Sequence, residues 1–150
     1  MRRIAFSLVA GVALAGVVTS MVSHWDTPTA GSTPGAPLRE TVTVAADVPI
    51  PNLPGKRLVS HVVDYPPGAS SAPHRHARSA FIYAYVLSGE IWSQVDGEPA
   101  RVYRAGETWF ESPGAHHRVS ANASDTEPAR LLAVLIVDAA DAQLVIPDPH

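Results

Sequence analysis

Between Thr41 and Val137 apolar and polar residues alternate at the two-residue period of a β-strand, and no convincing 3.6-residue period interrupts them. Eight segments are strand-like: TVTVA (41–45), RLVSHVVDY (57–65), SAFIYAYVL (79–87), EIWSQV (90–95), RVYR (101–104), ETWFE (107–111), HRVSA (117–121) and ARLLAVLIV (129–137). All are rich in β-branched or aromatic residues. Turn residues cut them apart at Pro66-Pro67-Gly68, Ser88-Gly89, Asp96-Gly97, Ala105-Gly106 and Ser112-Pro113-Gly114. Short strands this closely spaced predict an all-β, antiparallel sandwich or barrel. Only Ala139 to Gln143 leaves room for one helical turn.

The first 40 residues break the pattern. Arg2 and Arg3 precede an apolar run from Ile4 to Val22, the order of a secretory signal peptide and long enough for a bilayer anchor. Cleavage after Ala15 or Ser20 fits the first reading. The stretch from residue 24 to 40 is rich in Pro, Gly, Ser and Thr and reads as a flexible linker. The organisation expected is therefore a signal peptide or membrane anchor (1–23), a linker (24–40) and one folded domain (41–147). Such a protein is exported, periplasmic or secreted, and touches the membrane only through its N-terminal segment.

Composition narrows the chemistry. The formal net charge is −3 with a pI near 6.1, which offers no cationic surface for nucleic acid. There is no cysteine, so disulfides, thiolate ligands, a cysteine nucleophile and a lipoprotein anchor are excluded. Histidine carries what remains. His74 and His76 stand two apart on an extended segment, so both imidazoles project from one face. His116 and His117 follow a Pro-Gly turn and bring a third imidazole from another strand. Three neutral imidazoles converging from two strands suit a first-row transition metal with open coordination positions.

These residues resemble the cupin superfamily, which implies a small antiparallel β-barrel of jelly-roll type. Gly68, His74, His76 and Gly89 fit its first motif, and Gly106, Gly114 and His117 its second, with Pro113 and Asn122 each one place late. The resemblance implies His74, His76 and His117 as metal ligands. It also implies a glutamate ligand at position 81 or 82, where this chain has Phe81 and Ile82. A three-histidine site is what remains, as in the thiol and diketone-cleaving dioxygenases of the family. It implies a divalent transition metal (Fe, Zn, Mn, Ni or Cu), although export disfavours ferrous iron. A homodimer paired through edge strands is also implied.

Other residues are read by strand parity. His61 shares a face with Val59, Val63 and Tyr65, which makes it a core or pocket histidine, or a base beside the metal. Phe81, Tyr83 and Tyr85 share one face, and Ile82, Ala84 and Val86 the other. If the first set faces inward, the Tyr83 hydroxyl reaches a metal-bound ligand. His61 and Tyr83 are therefore the candidate catalytic groups. Glu111 is expected as a solvated strand-end charge, with general base or fourth ligand as the alternative. His116, Arg75 and Arg78 are expected on the surface, and Trp92, Trp109 and Phe110 in the core. Two functions fit: a metal-dependent dioxygenase acting on a small organic chelator, or a non-catalytic small-ligand-binding or stress-response module.

Overall fold

A computed structural model describes residues 38–149. The signal or anchor segment, and all but the last three linker residues, lie outside the described residues. Ten strands form among the described residues: β1 (Thr41–Pro49), β2 (Lys56–Tyr65), β3 (His74–His76), β4 (Phe81–Ser88), β5 (Glu90–Val95), β6 (Arg101–Arg104), β7 (Thr108–Glu111), β8 (His116–Asn122), β9 (Ala129–Asp138) and β10 (Val145–Pro147). No helix occurs among the described residues; Ala139 and Ala140 form a turn rather than a helical one. The described residues are all-β, as the strand-like segments predict.

Two five-stranded sheets result, with orders β1-β2-β9-β4-β7 and β10-β3-β8-β5-β6. Every strand pairing is antiparallel. The inner face of the first sheet presents Val59, Val63 and Tyr65 from β2, Ile82, Ala84 and Val86 from β4, and Leu131, Leu135 and Val137 from β9. Ile91 meets them from β5 in the second sheet. Burying a side chain such as Ile91 or Leu135 stabilises by about 2 kcal/mol, so this alternation is what closes the sheets on each other.

The burial pattern of β4 settles its orientation: Ile82, Ala84 and Val86 are buried, while Phe81, Tyr83, Tyr85 and Leu87 face out. Phe81 stacks on Phe110 across the outer surface at 5.8 Å, and Tyr83 packs against the same ring at 5.5 Å. Phe110 is 62% exposed and Trp92 46%, contrary to the expectation that both belong to the core. Each sits one residue out of phase with a buried neighbour, Trp109 and Ile91, so alternation forces it outward. Trp109 is in the core as expected.

The chain passes from the first sheet to the second at Gly89, between β4 and β5. Its φ is +70°, and a Cβ there would stand 2.5 Å from the Pro128 carbonyl oxygen. Only glycine serves at this corner. A second crossing, Ser112 to Ala115, carries the chain from β7 back to β8. Glu111 ends β7 on one side of it and His117 stands in β8 on the other.

Candidate metal centre

Backbone register brings the histidines together. β3 pairs with β8 so that His74 lies directly opposite His117 in the ladder, and His76 follows on the same face. The rings of His74 and His76 are 4.8 Å apart between centroids, those of His74 and His117 5.3 Å, and those of His76 and His117 6.1 Å. One ring nitrogen from each lies within 4.8 Å of the others. The sequence-predicted set thus converges. His116, one residue out of phase, turns the other way, and its Nε2 meets the Asp148 carboxylate at 2.7 Å.

Each ring is held by its surroundings. The His74 Nδ1 stands 2.7 Å from the Ala72 carbonyl oxygen, to which it donates, leaving Nε2 as the free lone pair. The Ser93 hydroxyl holds the Nε2 edge of His117 at 3.0 Å and turns Nδ1 toward Glu111. His76 has hydrogen-bond partners at neither ring nitrogen.

Glu111 is the residue that the sequence reading placed on the wrong side of the sheet. It is 2% exposed, not a solvated strand-end charge. Its neighbour Trp109 shares the inward face of β7, and the indole N–H donates to Oε1 at 3.0 Å. Oε2 lies 3.0 Å from His76 Nε2, yet the approach misses hydrogen-bond alignment and both atoms lack a hydrogen bond. Oε1 is 3.4 Å from His117 Nδ1. Buried polar atoms left without partners in a cluster of imidazoles and a carboxylate match the donor set of a divalent transition metal.

Electrostatics keep the cluster ready for a cation. Burial lowers the His117 pKa to about 4, and it lowers those of His74 and His61 as well. His74 and His117 are therefore neutral and able to ligate near neutral pH. Burial alone would raise Glu111, but the imidazoles of His76 and His117 and the Trp109 N–H outweigh it and hold the carboxyl below its ordinary value. An ionised carboxylate beside neutral imidazoles attracts a positive ion.

The cluster stands on the wall of a cavity of about 400 Å³ between the sheets. Its walls are largely apolar, formed among others by Val63, Ile82, Ala84, Leu131 and Leu135. His61 lines the cavity, as its parity with Val63 and Tyr65 suggests. Tyr83 does not. It lies on the outer aromatic surface, because strand parity sends the Ile82 set inward, and its hydroxyl is not brought to the histidines. A group the motifs do not show is Tyr65, whose buried hydroxyl hydrogen-bonds Ser71 and Ser120, each at 2.8 Å, and forms a polar spot on the cavity wall. Its alternation with Val63 and Val59 was the available signal. Arg39 and Glu40 also line the cavity. Asn122, the displaced motif asparagine, is structural: its Nδ2 points at the carbonyls of Tyr65, Pro66 and Glu127.

Comparison with known proteins places this geometry. A Klebsiella pneumoniae protein with a double-stranded β-helix domain superposes with a TM-score of 0.56 at 19% identity, covering 74% of this chain and 86% of its own. A Cupin 2 conserved barrel domain protein from Salinispora arenicola gives 0.51 at 25% identity, covering 67% and 77%. A recombinant oxalate oxidase in complex with glycolate gives 0.51 at 26% identity; the match covers 67% of this chain and about half, 52%, of the oxidase. No curated protein sequence matches the chain significantly. A cupin-domain family model matches residues 61–135, half of the 150-residue chain and the stretch that contains all three histidines. By that match, by its two antiparallel sheets and by its converging imidazoles, this chain belongs to the cupin family.

Proposed function

We propose that this chain is an exported, metal-dependent dioxygenase for a small organic substrate, its metal held by His74, His76 and His117. The observation that carries the reading is the convergence of three buried or half-buried imidazoles on a largely apolar cavity that opens between the sheets. A bound divalent ion supplies Lewis acidity and, if redox-active, electron transfer to dioxygen. The protein does the rest. The apolar walls formed by Val63, Ile82 and Leu135 exclude water and accept the hydrocarbon part of a substrate. The Tyr65 hydroxyl, held by Ser71 and Ser120, adds a polar spot to that wall. His61, which burial keeps neutral, is placed on the cavity wall to accept a proton from a substrate hydroxyl or acid.

Glycolate, bound in the structurally similar oxalate oxidase, shows the kind of molecule to try first: a small acid with two oxygens able to grip one ion. The test is elemental analysis of the protein from its native compartment, followed by oxygen-electrode assays with small hydroxy acids, diketones and diacids. Substrate-dependent oxygen uptake that His74→Ala abolishes supports the reading. Stoichiometric metal and tight ligand binding with no oxygen uptake overturns the catalytic part. That outcome leaves a small-ligand-binding module, the reading favoured by the largely apolar walls of the cavity.

A further inference from the structure

The family's carboxylate ligand is missing from this chain at its usual place, yet a carboxylate stands beside the histidines. Ile82 occupies the vacated position on β4, faces the cavity, and is paired directly across the ladder with Glu111 on β7. Directly opposed residues of an antiparallel pair hold their Cβ atoms about 5 Å apart on the same face. A side chain at either position therefore reaches the same part of the cavity wall. The geometry points to Glu111 as the fourth protein ligand of the metal, a carboxylate moved one strand sideways that rebuilds a three-histidine, one-carboxylate site. This inference rests on the three-histidine centre proposed above and adds to it the group that sets the site's charge.

Three observations on Glu111 converge. The first is the free atom. Trp109 fixes Oε1 with an indole hydrogen bond, whereas Oε2, in a place where Glu111 is 2% exposed, faces the His76 Nε2 at 3.0 Å outside hydrogen-bond alignment. A buried carboxylate oxygen without a partner is costly, and a cation removes the cost. The second is spacing. With metal–ligand bonds of about 2.1 Å, adjacent ligands of an octahedral ion lie about 3.0 Å apart and those of a tetrahedral ion about 3.4 Å. Oε2 and His76 Nε2 are 3.0 Å apart, the octahedral spacing, while Oε1, the oxygen that Trp109 holds, stands 3.4 Å from His117 Nδ1. The third is the absence of a competing cation: among the described residues, only histidines stand within ion-pairing distance of this carboxylate, and no lysine or arginine does. A carboxylate at this position also changes the chemistry. It lowers the net charge of a divalent centre from +2 to +1 and fills one coordination position. Fewer positions remain for exogenous ligands, which favours a substrate that binds through two atoms over one that needs three.

Full-length protein stripped of metal and titrated with Co(II) provides the test, because the visible spectrum reports affinity and coordination together. Glu111→Gln, close in shape, is expected to weaken Co(II) binding by about 100-fold or more, beyond the usual loss from a group that merely orients a ligand, and to change the ligand-field bands. The decisive variant is Glu111→Ala combined with Ile82→Glu, which returns a carboxylate to the family's usual place. It is expected to bind Co(II) at least about tenfold more tightly than Glu111→Ala alone, since a ligand can be supplied from either strand whereas a Trp109-anchored orienting role cannot. Unchanged affinity and spectrum in Glu111→Gln overturn the inference and leave the three-histidine centre standing. Failure of the double variant to recover binding overturns it also. If a variant does not fold, metal-edge X-ray absorption or a crystal structure of the unsubstituted Co(II) protein decides: Oε2 within about 2.3 Å of the ion supports ligation, and a separation beyond about 3 Å overturns it. No stoichiometric Co(II) in the unsubstituted protein sinks the histidine centre itself.

Discussion

His117 and His116 are adjacent in sequence and opposite in consequence. His117 faces inward, is nearly fully buried and is pinned at Nε2 by Ser93, while the His116 ring faces out to Asp148. His117→Ala is therefore expected to abolish stoichiometric metal binding, and so is His74→Ala. His116→Ala should leave metal content unchanged in elemental analysis of the purified proteins. Equal loss in both would mean that the register of β3 against β8 does not set the site. Ser93 supports its imidazole without touching the ion. Ser93→Ala is thus expected to lower metal affinity by about tenfold in a competition titration while preserving stoichiometry, the size of effect typical of a group that orients a ligand.

At the scale of elements, the corner between β4 and β5 sets the geometry of everything that follows it. Gly89→Ala forces a left-handed φ on alanine and drives its Cβ into the Pro128 carbonyl. The expected cost is about 3 kcal/mol or more, seen as a fall in Tm of roughly 10 °C or more. Gly97→Ala, where φ is unremarkable and nothing lies within 4 Å, is the control and should be nearly neutral. The same elements explain what the amino-acid pattern could reveal. Alternation names which residues share a face of a strand, so the eight longer strands and the pairing of His74 with His76 were legible. It does not name which face points inward. For β4 only packing against the second sheet decides between the Ile82 and Tyr83 sets, and it turns the Tyr83 set outward. β10 was invisible because three residues, one of them Pro147, are too few to show a period. Glu111 was misread for a related reason. Its position next to a Ser-Pro-Gly turn suggests exposure, whereas here the turn carries the chain from one sheet to the other and the residue before it points into the space between them.

For the molecule as a whole, the buried titratable groups bind stability to pH and to metal together. His61, His74 and His117 all have pKa values lowered by burial, His117 from 6.5 to about 4. In the unfolded chain each titrates near 6.5, so below that value, and for His117 down to about 4, the unfolded state takes up protons that the folded state refuses. The sign follows: their contribution to folding is fully present above pH 6.5 and is lost as pH falls toward about 4. Glu111, whose pKa is also held down in the fold, adds a loss in the same direction below its ordinary value of 4.5. Urea unfolding of metal-free protein at a series of pH values is expected to show stability falling steadily across this window. A flat profile would contradict the burial of the three rings. Metal acts on the same groups from the other side. An ion that binds the neutral rings of the folded state stabilises it by mass action, about 2.7 kcal/mol at a free concentration 100 times Kd. Below pH 6.5 that gain does not vanish at once, because rings whose pKa values are depressed remain free to ligate when ordinary histidines are already protonated. The metal-dependent rise in Tm at neutral pH is therefore expected to persist to about pH 5 and to disappear on approach to pH 4, where His117 itself takes up a proton. Loss of the metal effect already at pH 6.5 would mean that the ligating histidines are solvated, and that the cavity between the sheets is not where the ion sits.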